Sequence, residues 1–357
     1  MSQEIKMTSK NGVVLYTKNK YVEDDIHITN GLPTYNGEVE GAGENLGGFV
    51  DGTITEYSGQ DTFIRIYAFY GCSNLTNVNI PSATSIGQYA FYGCANLPSA
   101  NFPLTTSIGQ YAFYGCANLP SANFPLVNII ENYAFYNCSN LTNVDIPSAT
   151  SIGNFAFYGC SNLTNVNIPS ATSIGEGAFS STNLTNVDIP LATSVGTGAF
   201  RYCFNLTNVN MPLVTSVGNS ICTDCTNLIS VKLPLVKSAT SSLFSGCKNL
   251  ISVDVSSLNY ISPSMFYNCH SIKAIIIQQE EKICSNTNLN SFNGCYHILG
   301  TSDSTYNPNG DKDGYFYVPD SLLEDYKSAT NWSKYATQIK GLSELPQEYK
   351  DLYNIEV

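Results

Sequence analysis

GQYAFYGCANLPSANFPL occupies Gly87–Leu104, and the same eighteen residues occupy Gly109–Leu126. Each copy carries one cysteine, Cys94 or Cys116, and the step between copies is 22 residues. The step persists beyond this pair. Cys72, Cys94, Cys116, Cys138 and Cys160 follow it, as do Cys203, Cys225, Cys247 and Cys269, and Cys295 comes after a longer gap of 26. Between Cys160 and Cys203 one residue has been deleted, and Thr182 stands near the absent cysteine. A fixed period of this length marks a unit too small to bury its own apolar side, which is buried only when units stack.

Other columns keep the same period. Phe69, Phe91, Phe113, Phe135, Phe157, Phe179 and Phe200 precede the cysteine column by three. Ala68, Ala90, Ala112, Ala134, Ala156, Ala178 and Ala199 stand just before them. Ile64, Ile86, Ile108, Ile130, Ile152 and Ile174 lie four further back, and Leu75, Leu97, Leu119, Leu141 and Leu163 follow the cysteines. NLTNVNIP alternates, so Val78 and Ile80 are predicted on the inner face of a short strand. Strands repeated by stacked coils form a parallel sheet. Pro81, Pro103, Pro125 and their successors stop each strand, because proline cannot donate to a ladder. TSIGQYAFYGC is too short for a long helix and predicts an extended piece and a tight turn. The column Asn74, Asn96, Asn118, Asn140, Asn162 is expected to turn its amides inward onto backbone groups.

These columns resemble the leucine-rich repeats of the BspA type, a surface-protein class of gut and oral bacteria and of some parasitic protists. The matching motif is NLTNVNIPxATSIGxxAFYGC, and the resemblance covers about 64–277. It implies an α/β solenoid of about ten 22-residue coils, with parallel short strands and non-repeat caps. It also implies a role in adhesion and host-protein binding, at the cell surface or outside the cell. The division expected is 1–48 as short strands and a Gly-rich linker, 49–300 as the solenoid, and 301–357 as a strand–helix cap.

The ends do not repeat. NGVVLYTKNKYVEDDIHITNGL predicts strands at Val13–Tyr16 and Ile26–Thr29, and GEVEGAGENLGG reads as a linker. This start resembles N-terminal segments of tail-associated proteins from phages of Gram-positive bacteria, which would make the chain virion-associated. Phe49–Phe63 is expected to supply an atypical coil over the first repeat. At the other end Tyr315–Val318 reads as a strand. Asp320 is expected to cap a helix at Ser321–Lys327, and Trp332 to anchor Tyr335 and Ile339 over the last coil.

The composition narrows the chemistry. Lys and Arg total 16 against 28 Asp and Glu, a net charge of -12. That argues against nucleic acid as partner. No stretch reaches eighteen apolar residues, so no membrane insertion is expected. MSQEIKMTSKNG lacks the apolar core of a secretory leader, so the chain is expected to work where it is made, to leave by another route, or to have had its leader removed. His27, His270 and His297 fall in no Cys/His cluster, and no catalytic motif is present, so neither enzyme, metal nor cofactor is expected. Cys222 and Cys225 have CxxC spacing, yet both stand in packing columns, and the cysteines read as small buried hydrophobes. Asp311 and Asp313 lack the ligand series of a calcium loop, and a polar turn explains them equally well.

Two surface rows are the candidate contact residues. One is Tyr70, Tyr92, Tyr114, Tyr136 and Tyr158, and the other is Tyr67, Tyr89, Tyr111, Tyr133 and Phe155. Both break off at Ser180 and Gly177, while the core columns continue. Packing edge to face between coils is the structural reading of these rows, and a partner surface the functional one. A further row, Asn79, Asn101, Asn123, Asp145, Asn167, Asp188, Asn210, Lys232 and Asp254, is expected to point outward from the strands. Two functions follow: an adhesin-like module that binds a host or bacterial surface protein or a glycan, or a structural spacer whose near-identical repeats only add length.

Overall fold

The computed structural model describes residues 5–9, 14–17, 54–58, 61–239, 241–280, 284–286, 290–301 and 303–356. Two compact units, Met1–Ser170 and Ala171–Val357, divide the chain. Each is a stretch of β-solenoid.

In the first unit the alternation of NVN becomes the strand Asn77–Asn79, with Val78 buried between two exposed asparagines. Ser121–Asn123, Asn143–Asp145 and Asn165–Asn167 repeat it and pair in parallel, each residue with its own counterpart one coil away. The brief extended piece expected after the proline is a second parallel sheet. It contains Phe63–Ile64, Ser85–Ile86, Ser107–Ile108, Ile129–Ile130 and Ser151–Ile152. YAFYGC forms neither strand nor helix. The N–H groups of Ala68, Tyr70 and Cys72 close local turns onto Arg65, Tyr67 and Phe69, and those of Tyr67, Phe69 and Gly71 reach carbonyls of the next coil. Both alternate sets of backbone donors are thus satisfied without regular secondary structure. The coils approach closely at the glycine after Ile108, where a Cβ on Gly109 would lie 2.7 Å from the Gln88 nitrogen.

The unit starts with a sheet edge that is covered. Ile54–Ser58 runs parallel to Asn77–Asn79 and supplies the atypical first coil. Ile5–Ser9 crosses it antiparallel and pairs in turn with Val14–Thr17, one residue later than the sequence suggested. Tyr57 sets its ring edge against Phe69 at 5.0 Å. The expected strand Ile26–Thr29 and the Gly-rich linker lie outside the described residues.

The second unit carries seven strands in one parallel sheet: Asn186–Asp188, Asn208–Asn210, Ser230–Lys232, Ser252–Asp254, Ala274–Ile276, Tyr315–Val318 and Ile339–Gly341. The α-helices among the described residues are short and confined to the C-terminal part: Tyr296–Leu299, Leu323–Ser328 and Gln347–Tyr353. Trp332 is the anchor of this cap. Its Nε1–H donates to the Cys284 carbonyl at 2.6 Å, and its ring meets Phe316 and Tyr326 edge-on. Asp320 does not cap the following helix. Its carboxylate accepts from the backbone N–H and the hydroxyl of Ser343 instead, so it ties two segments of the cap together. Asp313 is likewise committed. Burial opposes its ionisation, but Lys273 at 2.7 Å and His297 outweigh that and hold its carboxyl below the usual value.

The outward row is corrected at its end. Asp254 does not face solvent but is 1% exposed. The last helix folds back over this face, where Leu345 and Tyr353 pack on Ala274, Ile276 and Tyr317. The Tyr353 hydroxyl meets Ser252 at 2.7 Å, and Lys232 donates to the Tyr353 carbonyl. Burial pushes the Asp254 pKa up, against the opposing pull of Ser256 and Lys232.

Inside each unit the core is made of columns. Phe69, Phe91, Phe113, Phe135 and Phe157 stack at 4.9–5.2 Å between ring centroids. All twelve cysteines are buried, and none is joined in a disulfide. The repeat thiols are hydrogen-bonded as well as packed. Cys94, Cys116, Cys138 and Cys160 donate at 3.1 Å to the phenylalanine carbonyl of the preceding coil. That carbonyl also accepts its own coil's cysteine N–H, so the thiol takes up its second lone pair. In the shortened coil Thr182 fills the cysteine column, and its hydroxyl donates to Phe179 at 2.8 Å.

Truncating a column opens a void that two neighbours share. Phe113→Ala is expected to cost about 3–5 kcal/mol, and Cys116→Ala about 1 kcal/mol because only one heavy atom is lost. Urea melts of the two variants check the order; equal losses would show that the thiol bond carries more than its volume.

Burial also makes the thiols inert. It pushes Cys203 and Cys284 from 9.0 up to about 12, and Cys94, Cys138, Cys225, Cys247 and Cys269 well above 9.0. The unfolded chain releases these protons above about pH 9, whereas the folded chain keeps them. Stability from this source is full below pH 9.0 and falls as the pH rises toward about 12. A melting series between these limits should show the decline. Thiol reagents at pH 8 should leave the native repeat cysteines unmodified and label them after unfolding.

Candidate partner-binding surface

Each coil from Cys72 to Cys160 contributes two aromatic residues, three apart, from the turn that precedes its cysteine. The structure brings both sequence-predicted rows together as two adjacent ladders. Tyr67, Tyr89, Tyr111 and Tyr133 stack at 4.8–4.9 Å with their planes within 6° of parallel, and Phe155 ends the row at 5.2 Å. Tyr70, Tyr92, Tyr114, Tyr136 and Tyr158 stack at 4.7–4.9 Å. Along each row the rings of successive coils stack in parallel, and the edge-to-face packing expected between coils is found across the rows, where Tyr70 meets Tyr89 at 6.3 Å and 65°, and within the first coil, where Tyr67 meets Tyr70 at 5.5 Å and 69°. The reason is the coil spacing. Strands pair at about 4.8 Å, which is short for a T-shaped pair and suits offset parallel rings.

The rings are half-buried. Burial, followed by the neighbouring phenols, raises the pKa of Tyr89, Tyr92 and Tyr136, so these three phenols stay uncharged at neutral pH. The ring faces lie against other rings. What the rows offer a partner is edges and hydroxyls.

The first row stands on an unfavourable backbone. Tyr67, Tyr89, Tyr111, Tyr133 and Phe155 all have φ between 54° and 58°. For a bulky residue this left-handed region is a true outlier, costing about 1–2 kcal/mol each. In the second unit the same column reads Gly177, Gly198, Ser220, Ser242 and Ser264, still at positive φ. The fold therefore requires the conformation but not the aromatic ring.

The asparagine column does not turn inward. Asn118, Asn140 and Asn162 are exposed, and each donates its side-chain amide to the asparagine one coil earlier, at 3.0–3.4 Å. The outward strand row behaves the same way in its open part: Asn167 donates to Asp145 at 2.7 Å. Sequence reasoning passed over the residues bordering the tyrosine rows. Gln88 and Gln110 form an amide pair at 3.4 Å, and the column before theirs reads Arg65, Gly87, Gly109, Glu131. Charge breaking a neutral period was the available signal.

Among the described residues no group of His, Cys, Asp and Glu is placed to hold a metal ion, and no helix is long and apolar enough to cross a membrane.

Comparison with known proteins gives one family. The repeat described as BspA type Leucine rich repeat region (6 copies) matches residues 62–172, 128–235 and 172–299, more than half of the chain. No curated protein matches. Among solved structures, a leucine-rich repeat protein from Bacteroides ovatus covers 96% of this chain and 98% of its own, at 18% identity and TM-score 0.49. A leucine rich cell surface protein from Faecalibacterium prausnitzii covers 82% and 90%, at 22% identity and TM-score 0.40. The pneumococcal vaccine antigen PcpA covers 81% and 83%, at 14% identity and TM-score 0.33. Likenesses this distant carry no argument about function.

The strained column yields a stability test. Tyr111→Gly and Tyr114→Gly each remove one ring from a stack. Glycine at 111 also relieves the left-handed backbone, whereas at 114 it only adds freedom to the unfolded chain. Tyr111→Gly should be the more stable by about 1–2 kcal/mol. Thermal melts of the pair measure the difference, and equal melting points would refute the strain.

Proposed function

Because the chain belongs to the BspA-type leucine-rich repeat family, we propose that it is a non-enzymatic, adhesin-like binding module whose contact surface is the pair of tyrosine rows. The observation that carries this reading is the row Tyr67–Phe155, kept at positive φ where the second unit uses glycine and serine. Residues held against their backbone preference need a reason outside the fold. Tyrosine supplies one, since it offers a large amphipathic contact at little rotamer entropy.

The partner class is a surface protein or a glycan, met through ring edges and hydroxyls. A cell-surface or extracellular setting belongs to this proposal. So does a virion setting, whose support is the phage-like start of the chain. The low positive charge speaks against nucleic acid.

The spacer reading has one observation in its favour: Gly87–Leu104 and Gly109–Leu126 are identical, and recent copying lengthens an array without shaping a pocket. Copying does not explain why the aromatic rows stop while the core columns persist.

A glycan and host-protein binding array separates the two. The chain is expected to retain a partner that Tyr92→Ser/Tyr114→Ser/Tyr136→Ser loses, with circular dichroism unchanged. No partner for the folded wild type would favour the spacer, and a collapse of melting temperature in the variant would return the rows to packing.

A further inference from the structure

We infer that the rows Tyr67–Tyr136 are also a self-association surface, on which a second copy of this chain docks antiparallel with Arg65 of each copy facing Glu131 of the other. The inference rests on the reading of the rows as a contact surface. It adds the identity of one partner and the register in which that partner lies.

Periodicity restricts what can lie along the rows, which repeat at 4.7–4.9 Å. An extended peptide presents same-side residues about 6.6 Å apart and a helix advances about 5.4 Å per turn. Either slips out of step within a few coils. A partner that stays in step must itself be built on the strand spacing, and a second copy is.

The exposed chemistry suits the same partner. The ring faces are taken by stacking, so docking meets edges and hydroxyls. A phenol hydroxyl both donates and accepts. Two identical rows are therefore complementary without any other feature.

Charge selects the face and the register. At a net -12, most ways of bringing two copies together oppose like charges. The tyrosine rows are neutral, and the column beside them, Ile66, Gln88, Gln110 and Asn132, is neutral too. The next column, Arg65, Gly87, Gly109 and Glu131, holds one cation and one anion at opposite ends of four coils, and both are exposed. A two-fold axis between the second and third of these coils sets Arg65 opposite Glu131 twice and Gly87 opposite Gly109 twice. An isologous interface has this reciprocity. The same axis pairs Tyr67 with Tyr133 and Tyr89 with Tyr111. Four coils and two rows fall short of the roughly 800 Å² per partner of a standard interface, so the association is weak and depends on concentration.

Sedimentation of the full chain from micromolar to millimolar concentration tests the proposal. The wild type is expected to pass from monomer to dimer. Arg65→Glu alone and Glu131→Arg alone should each weaken it at least tenfold, and the double reversal should restore it. Circular dichroism confirms that each variant is folded. Monomer throughout overturns the inference, as does a dimer indifferent to the single reversals or not restored by the double one. The array experiment keeps the two readings apart. A chain that stays monomeric yet loses an array partner in the Tyr→Ser triple retains the contact surface and loses only self-association. A dimer that follows the charge reversals, with no array partner, keeps self-association and discards the external ligand.

Discussion

Parallel pairing in which each strand residue meets its own counterpart one coil away governs everything else in this protein. Because Val144 pairs with Val166 and Ile86 with Ile108, every side chain is held about one strand spacing from its homologue. A residue type can occupy a column only if it tolerates itself at that distance. Phenylalanine and tyrosine stack, asparagine donates one amide to the next, threonine hydroxyls reach the preceding coil's carbonyl as Thr142 does at 3.0 Å, and thiols do likewise. Like charges at that distance repel. The composition follows: only 12% of the residues are charged. Asp145 stands between Asn123 and Asn167 rather than beside another acid.

The same constraint divides structural residues from the others. The left-handed turn position recurs in each coil from Tyr67 to Ser264, and glycine, serine, tyrosine and phenylalanine all meet the need. Cysteine is narrower. It must be small, apolar and able to reach a carbonyl, and the shortened coil between Cys160 and Cys203 substitutes threonine, whose hydroxyl still finds a carbonyl. The left-handed position accepts several residue types yet holds tyrosine for four coils and phenylalanine for a fifth, and the proposal of a contact surface rests on that contrast.

Much of this was legible in the sequence. The period located the coils, the alternation around Val78 located the strand, and the proline column located its end, because each depends on neighbours a few residues away. The cap helix was legible to within two residues, starting at Leu323 rather than Ser321, and Trp332 was legible as an anchor but not by its partners, Phe316 and Tyr326. Two errors share one cause. The Asn118 amide points inward only if its partners are backbone groups of its own and the next coil; its actual partner, Asn96, is the same side chain one coil back. Tyr67 and Tyr89 were expected edge to face for the preference of an isolated pair, whereas the coil spacing dictates parallel rings. Asp254 failed differently. Its burial comes from Tyr353, about a hundred positions away, and no local pattern reports a tail that returns. The positive φ beneath the tyrosines left no mark on the sequence beyond the glycines that replace them later.

The returning tail also bears on how such an array changes over generations. Interior coils are interchangeable, and the identical pair at Gly87–Leu104 and Gly109–Leu126 shows that one can be copied whole. The last coils cannot be. Lys232, Ser252, Ala274 and Ile276 are fitted to one helix that exists once. A copy inserted among them would separate the helix from half of its seat. Lineages of this protein should therefore differ in coil number upstream of Lys232 and agree in the coils after it, so that the C-terminal end is the fixed point from which length is measured.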